Sequence, residues 1–376
     1  LALAGRILIW AGLIAALIRL AQTLELKWPE FLAAFAFWFY AGQTLAAGEW
    51  VFGGFEAKGF SYVFLFLALS AALKEKWVQA AVFSGLAVSV HVWGGGGGPL
   101  ALFAMLFLNW KKENFKLIFL FCALSFLFAF PGLAASGFNW FRGGTMGRAQ
   151  YAIDVLFRGA HHMDPYSFLS LSQVPYLLFY YFLASFLVWK SLERGLALRL
   201  LIFLNVLLGI FILGIWARES EALSFLYLYP FRLGPVFLLL FFSLGLFCFL
   251  GTRTSGGRNR LLVWGLLLFL IFEAVHYQMP RVLFKQTSVF LFEWLNYFTK
   301  EADSDFKKLA AWIKTETPPD SIFAAPPWEY RFWLLAERAQ VVSYKTIPAN
   351  RMNQEWMVRL RDLNGGRAFR SRGAGP

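Results

Sequence analysis

Leu200–Trp216, "LLIFLNVLLGIFILGIW", is an apolar run in which Asn205 is the one strongly polar side chain. A run of this length approaches the roughly 20 apolar residues that a helix needs to cross a lipid bilayer. Leu117–Leu133 and Val236–Leu250 are runs of the same kind. Repeated runs of this type predict a polytopic α-helical membrane protein.

The composition leads to the same fold class. Apolar residues make up 59% of the 376 residues and charged residues 15%, whereas soluble domains average about 25% charged residues. The formal net charge is +13, but membrane proteins collect Lys and Arg in their cytoplasmic loops, so nucleic-acid binding is not expected. Cys122 and Cys248 lie inside apolar runs, where they are expected to be small core residues and not disulfide partners.

We expect about ten membrane spans in a bundle that covers residues 1–280. The spans are residues 7–18, 30–47, 59–73, 77–93, 98–109, 116–136, 166–189, 197–217, 225–250 and 261–279. Several are short and would need tilting or local thinning of the bilayer. The chain begins with Leu1 and not with Met, so we expect the bundle to lack part of its N-terminus.

Lys/Arg-rich connectors predict the orientation of the bundle. Residues 74–76, 109–116, 190–199 and 252–260 are short and basic, which is typical of cytoplasmic loops. The alternation of spans then places the remaining connectors outside. These are residues 48–58, 94–98, 137–165 and 218–224, together with everything after about residue 280. Most of the other titratable groups therefore face the extracytoplasmic side.

The chain after the bundle has the pattern of a small α/β domain, over residues 281–364. The spacing predicts a helix through Lys314, a strand at Ser321–Ala325, a strand at Val341–Lys345 and a helix over "NQEWMVRLRDL" (353–363). A domain of this size is marginal alone, so we expect it to pack on the bundle. Residues 365–376 are expected to be a disordered or non-native tail.

The stretch "GGFEAKGFSY" (53–62) places Glu56 and Lys58 at the beginning of a span. One interpretation is a carboxylate and an ammonium group at the mouth of the bundle, with Glu56 catalytic and Lys58 binding a polar substrate or a metal. The alternative is a solvated loop whose carboxylate is favoured by the helix dipole.

His91 directly precedes the segment "VWGGGGGP" (92–99). Bare glycine backbone at membrane depth could line a cavity or accept a lipid headgroup, with His91 in contact with the substrate. The alternative is a tight hairpin in which His91 reaches the membrane interface. The surrounding residues do not fit a nucleotide-binding loop.

The predicted outer loop 137–165 concentrates cations and histidines. Its candidate residues are Arg142, Arg158, His161, His162 and Asp164. Arginine presents a planar fork suited to phosphate oxygens, and histidine exchanges protons near neutral pH. One helical turn would bring His161 and Asp164 together. The alternative is a loop whose charges pair with one another, and metal ligation is weakly supported because adjacent histidines point to different sides.

Arg232 lies inside the expected span 225–250, where an arginine costs roughly 2.5–3.5 kcal/mol on insertion scales. It should therefore have a carboxylate partner such as Glu219 or bind an anionic ligand. Arg218 and Glu219 in the preceding connector are further substrate-binding candidates. Glu273 and His276 form another polar pair on a helix face.

Five segments together resemble bacterial polytopic proteins related to the GT-C superfamily of membrane glycosyltransferases. They are "GGFEAKGFSYVFL" (53–65), "HVWGG" (91–95), "RGAHHMDP" (158–165), "LYPFRLGP" (228–235) and "WIKTETPPDSIFAAPPWEYRFWLLAERAQVVSYKTIP" (312–348). The resemblance implies a protein of the bacterial inner membrane with a periplasmic C-terminal domain of uncharacterised type.

The same resemblance implies hexosyl or pentosyl transfer, with inversion, from a polyprenyl-phosphate-linked sugar on the periplasmic face. It also implies an acidic residue in the first outer loop of the superfamily, which would precede Leu1 and act as the base or as a metal ligand. The cofactor is left open, with a divalent cation such as Mg²⁺ or Mn²⁺ as the candidate. The expected catalytic residues here are Glu56, His161, His162 and Asp164. The expected partners are the lipid-linked donor and membrane lipids. The alternatives are a transporter or flippase of a lipid-linked or anionic solute, and a non-catalytic membrane scaffold.

Overall fold

The computed structural model describes residues 2–108, 115–143, 146–170, 173–253, 305–327, 332–343 and 352–366. The chain divides into two compact units. The first, which we call the helical unit, comprises Leu1–Arg142 and His161–Ala274. The second, the C-terminal unit, comprises Gly143–Ala160 and Val275–Pro376. The segment between residues 143 and 160 thus belongs with the distant end of the chain.

Helices form most of the described part of the helical unit. They are α1 (Ala2–Thr23), α2 (Trp28–Tyr40), α3 (Ala57–Leu73), α4 (Trp77–Val90), α5 (Val92–Gly95), α6 (Gly97–Leu108), α7 (Phe115–Gly143), α9 (Ala160–Met163), α10 (Pro165–Phe168), α11 (Val174–Ser191), α12 (Arg194–Glu219), α13 (Leu223–Leu226) and α14 (Leu233–Arg253). The predicted outer loop 137–165 is therefore mostly helical, because α7 continues to Gly143 and short helices follow.

The prediction of about ten spans is not supported. Over the described residues, five helices are long and apolar enough to cross a membrane: Leu3–Thr23, Phe115–Gly137, Val174–Ser191, Arg194–Glu219 and Leu233–Gly251. Four predicted spans correspond to shorter apolar helices, Glu30–Tyr40, Ala57–Leu73, Trp77–Val90 and Gly97–Leu108. The first three of these helices end at Tyr40, Leu73 and Val90, where the chain turns or polar residues follow, before they reach bilayer length. The predicted span 261–279 lies outside the described residues.

Helix α14 is the centre of the helical unit. In its apolar window, 94% of the residues are buried, and α2, α11 and α12 pack against it. Its aromatic side chains interlock with those of neighbouring helices, as in the edge-to-face pairs of Phe237 with Phe66 and with Phe203. The helix is apolar on all sides because all of its sides are covered.

Two glycines allow α7 to approach α4 closely. A Cβ atom added at Gly132 would lie 2.2 Å from the Ser89 carbonyl oxygen, and one at Gly85 would lie 2.5 Å from the Ser125 carbonyl oxygen. Small residues at such crossings let two backbones pack together within a membrane. Pro131, inside α7, precedes the closer contact.

We expect Gly132→Ala to destabilise the protein by about 1–3 kcal/mol, since the added methyl group meets rigid backbone. The melting temperature in detergent should fall by several degrees. The matched control is Gly137→Ala on the same helix, where a Cβ atom meets nothing within 4 Å. Equal melting temperatures for the two variants would contradict the close packing of α4 and α7.

The C-terminal unit contains α8 (Arg148–Ala152), a π-helical segment (Ile153–Arg158), α15 (Asp305–Glu316), β1 (Ile322–Phe323), α16 (Phe332–Ala336), β2 (Ala339–Gln340) and α17 (Asn353–Leu363). The two strands pair in parallel, with Ile322 opposite Ala339, so α16 lies in the crossover between them. Helices α15 and α17 were predicted within two residues of their observed ends. The first strand is shorter than predicted. The second prediction, Val341–Lys345, was wrong for its described part: the strand is Ala339–Gln340 and ends before Val341, while residues 344–345 lie outside the described residues.

Segment 143–160 contributes a buried acid to this unit. Asp154 is fully buried, and Arg158 lies 3.8 Å from it. Asn353 begins α17 and donates from its side chain to the Gln150 carbonyl oxygen at 3.0 Å. Burial raises the pKa of Asp154 to about 6, although Arg158 and Asn353 partly oppose the shift.

The stability of the C-terminal unit should therefore depend on pH. Because the pKa of Asp154 is higher in the folded state, its favourable contribution is complete below about pH 4 and is lost as the pH rises through about 6. Hydrogen exchange of α17, corrected for intrinsic rates, should show greater protection at pH 5 than at pH 7.5. Asp154→Asn should remove most of this difference. A difference unchanged in the variant would assign the pH dependence to another group.

Candidate functional site

The loop between α2 and α3, residues 41–56, forms one wall of the candidate site. Gln43 fixes its shape, because its side-chain oxygen accepts the backbone N–H groups of Val51 at 2.9 Å and Phe52 at 2.7 Å. The Trp38 indole N–H donates to the Gln43 carbonyl oxygen at 3.1 Å. The φ angles of Gln43 and Ala47 are 67° and 61°, a left-handed conformation that costs free energy for residues other than glycine.

This loop carries Glu49 into the interior of the helical unit, where it meets two cations. Glu49 is 1% exposed, and its carboxylate lies 3.4 Å from Lys58 Nζ and 3.3 Å from Arg232 Nε. Glu49, Lys58 and Arg232 are the buried charged side chains of this unit among the described residues, and we call them the buried charge cluster. Buried charges are tolerated only where they are paired or bind a ligand.

Local structure positions both cations. Lys58 lies in the first turn of α3, and its Nζ atom is 3.8 Å from the centre of the Trp50 ring. Arg232 directly precedes α14, and its guanidinium group lies 4.0 Å from the centre of the Tyr229 ring. Tyr229 has a φ angle of 58°, so the chain bends sharply before Arg232 enters the bundle. Cation–π contacts of this kind hold both charges in place.

Tyr62 and His91 both interact electrostatically with residues of the cluster. Tyr62, one turn after Lys58 on α3, is buried and interacts with the Glu49 carboxylate. His91 lies between α4 and α5, and its Nδ1 atom accepts the Gly94 backbone N–H at 2.7 Å. An accepting Nδ1 carries no proton, so the proton of the neutral ring lies on Nε2. His91 can therefore donate a hydrogen bond to an anion.

The buried polar atoms of this region are incompletely hydrogen-bonded. Within the described residues, several buried atoms make no hydrogen bond of normal geometry. Among them are both Glu49 carboxylate oxygens, Arg232 Nε and Ser61 Oγ. Buried polar groups in proteins are usually satisfied by protein, water or a ligand. The cluster can thus accept further hydrogen-bonding partners.

An apolar groove begins beside the cluster. Its cavity volume is about 350 Å³, and it is lined by Val92, Gly96, Gly97, Leu100, Leu207, Ile210, Leu213, Phe225, Leu228, Tyr229, Pro230 and Leu233. Tyr229 contacts Arg232, while Val92 and Leu233 are the direct neighbours of His91 and Arg232. The glycine run forms part of the wall, and a Cβ atom at Gly97 would lie 3.2 Å from Leu233 Cδ1.

Polar residues of α9, α10 and the end of α12 form a second group at the same end of the bundle. Arg218 Nε donates to Asp164 Oδ1 at 3.0 Å, and the Tyr166 hydroxyl donates to the Glu219 carboxylate. Asp164 also caps α10 by accepting the Tyr166 backbone N–H at 3.3 Å. These bonds tie the segment after His162 to α12.

The adjacent histidines have different surroundings. The His162 Nδ1 atom donates to the Ala47 carbonyl oxygen at 2.7 Å, which links α9 to the loop that carries Glu49. The His161 and His162 rings lie 4.0 Å apart, and the His162 ring is 6.4 Å from the Tyr229 ring. His162 is thus the histidine of the pair that faces the candidate site.

Three predicted site residues meet at the cluster, namely Lys58, His91 and Arg232. Glu56 is half-exposed, lies 3.5 Å from Lys58 Nζ and borders the site from outside.

The other predicted site residues lie away from the cluster. Arg218, Glu219 and Asp164 form the second polar group. Arg158 belongs to the C-terminal unit and pairs with Asp154. The Arg142 side chain and the Glu273–His276 pair lie outside what the structure describes.

Sequence reasoning missed Glu49, although a signal for it was present. The residue stands alone in the apolar stretch "LAAGEWVF" (45–52), and Arg232 required a carboxylate partner that was sought at Glu219. No group of three or more histidine, cysteine or acidic side chains that could hold a metal ion occurs among the described residues.

A family model described as a domain of unknown function, DUF6798, matches residues 304–363, which belong to the C-terminal unit. No curated protein and no solved structure matched the chain.

Proposed function

We propose that the protein is a membrane glycosyltransferase that uses a polyprenyl-phosphate-linked sugar as the donor. The observation that carries the proposal is the apolar groove beside the buried charge cluster. A polyprenyl chain needs a long apolar surface, and its phosphate needs cations at membrane depth. Tyr229 connects the two, because it lines the groove and its ring contacts Arg232 of the cluster.

The chemistry that this site would perform is a single displacement at the sugar. An acceptor hydroxyl oxygen forms a bond to the anomeric carbon while the bond from that carbon to the phosphate oxygen breaks. The electron pair leaves with the polyprenyl phosphate, which gains one negative charge, and the hydroxyl proton passes to a base. Lys58 and Arg232 would stabilise the charge that develops on the phosphate. Glu56 and His162 remain the candidates for the base.

Charge distribution supports an extracytoplasmic site. The opposite end of the bundle carries the basic connectors at residues 74–76 and 190–199, which is typical of a cytoplasmic face. The cluster would then face the periplasm of a bacterial inner membrane. We also propose that the C-terminal unit is periplasmic. Labelling of a cysteine introduced in place of Thr315, in intact cells, would test this location.

The function can be tested with the protein in proteoliposomes that contain fluorescent polyprenyl-phosphate sugars. We expect time-dependent release of polyprenyl phosphate and formation of a glycosylated product, both lost in Lys58→Met. The matched control is Lys190→Met, a lysine at the end of α11. Movement of intact donor between leaflets without cleavage would support the transporter alternative. Failure of any lipid-linked phosphate to bind would support the scaffold.

A further inference from the structure

The net charge of the cluster limits the anion that it can neutralise. With Glu49 ionised, the two cations and one carboxylate sum to one positive charge, and His91 is neutral because its Nδ1 atom accepts a hydrogen bond. Glu56 also lies 3.5 Å from Lys58, but its side chain is 47% exposed, so water screens its charge. The buried charge to be matched is therefore close to +1.

Lipid-linked sugar donors fall into two charge classes. A polyprenyl phosphodiester of a sugar carries one negative charge, whereas the corresponding diphosphate diester carries two. An unbalanced charge in a region of low dielectric constant is strongly unfavourable. A buried site with one excess positive charge matches the monoanion.

We propose that Glu49 is a specificity-determining residue that selects a phosphodiester-linked lipid over a diphosphate-linked lipid. This inference rests on the proposed function, since it takes the cluster as the phosphate site. Glu49 lies between both cations and cancels one of their charges. The carboxylate also repels a second phosphate group that approaches the same two side chains. Removing its charge would raise the charge of the site to +2 and favour the dianion.

The test is a binding measurement with two sugar-free probes, the farnesyl methyl diester of phosphoric acid and that of pyrophosphoric acid. We expect the wild-type protein in detergent to bind the phosphate diester about tenfold or more tightly. Glu49→Gln should reverse or abolish this preference, mainly by tighter binding of the diphosphate. Glu49→Asp retains the negative charge and should keep the preference for the phosphate diester. This variant also serves as the control that a substitution at this position leaves the protein folded and able to bind.

Glu56→Gln is the matched comparison, because it removes a carboxylate from the same lysine at a solvent-exposed position. Its effect on the preference should be several-fold smaller than that of Glu49→Gln. Equal binding of both probes by the wild type, or an equal shift in both variants, would overturn the role of Glu49 while leaving the phosphate site intact. Binding of neither probe would overturn the proposed function as well.

Discussion

Arg232→Met should lower the rate of sugar transfer by about a thousandfold. Removing one preorganised donor to a developing charge costs about 10²–10³ in rate. The substitution also leaves Glu49 buried with Lys58 as its remaining ion-pair partner, and breaking a buried pair costs roughly 3–5 kcal/mol. We therefore expect a lower melting temperature together with the loss of activity.

Two further variants separate stability from catalysis. Arg232→Met combined with Glu49→Gln removes both members of the pair, so stability should recover while transfer stays low. Arg232→Lys keeps the charge and should retain part of the activity. Transfer by the double variant at the wild-type rate would show that Arg232 balances Glu49 and has no part in the reaction.

Gly97→Leu should reduce transfer from long-chain donors by about a hundredfold, because the reacting group is misplaced when the chain cannot enter the groove. A Cβ atom at this position already lies 3.2–3.5 Å from Leu233, Leu207 and Ile210, so a leucine side chain would fill the groove. A donor truncated to one or two isoprene units does not need the groove and should be used almost as well as by the wild type. The ratio of the two rates is the quantity to measure.

A second cavity on α12 provides the control for this experiment. Its volume is about 370 Å³, its lining includes Gly209 and Leu238, and a Cβ atom at Gly209 meets nothing within 4 Å. Gly209→Leu adds the same side chain to the same unit but leaves the groove beside Arg232 open. If Gly209→Leu reduces long-chain transfer as strongly as Gly97→Leu, the groove beside the cluster has no special role.

The sequence identified the helices better than the number of spans. Helix α12 and the two helices α15 and α17 were predicted closely, because a continuous apolar run and a clear amphipathic pattern leave little choice. The segments around His91 and residues 41–56 differ. There the apolar composition continues, but the backbone turns on glycine and on left-handed residues such as Gln43 and Ala47. The positions of such turns cannot be predicted from the apolar composition.

The candidate site was predicted in part, for a physical reason. Arg232 could be recognised from the sequence, since an arginine in an apolar run must be paired. Its partner Glu49 is distant in sequence, and the pairing exists because the 41–56 loop folds back into the bundle. Around the predicted neighbours His161 and Asp164, the structure shows Asp164 bonded to Arg218 and the His161 ring packed on His162.

The most direct test is a structure of the protein in nanodiscs with a bound polyprenyl-phosphate sugar, determined by electron cryomicroscopy. We expect phosphate oxygens at hydrogen-bond distance, about 3 Å, from Lys58 and Arg232, with the polyprenyl chain along the groove past Gly97. A donor phosphate bound elsewhere, with Glu49 still pairing both cations and the groove empty, would contradict it.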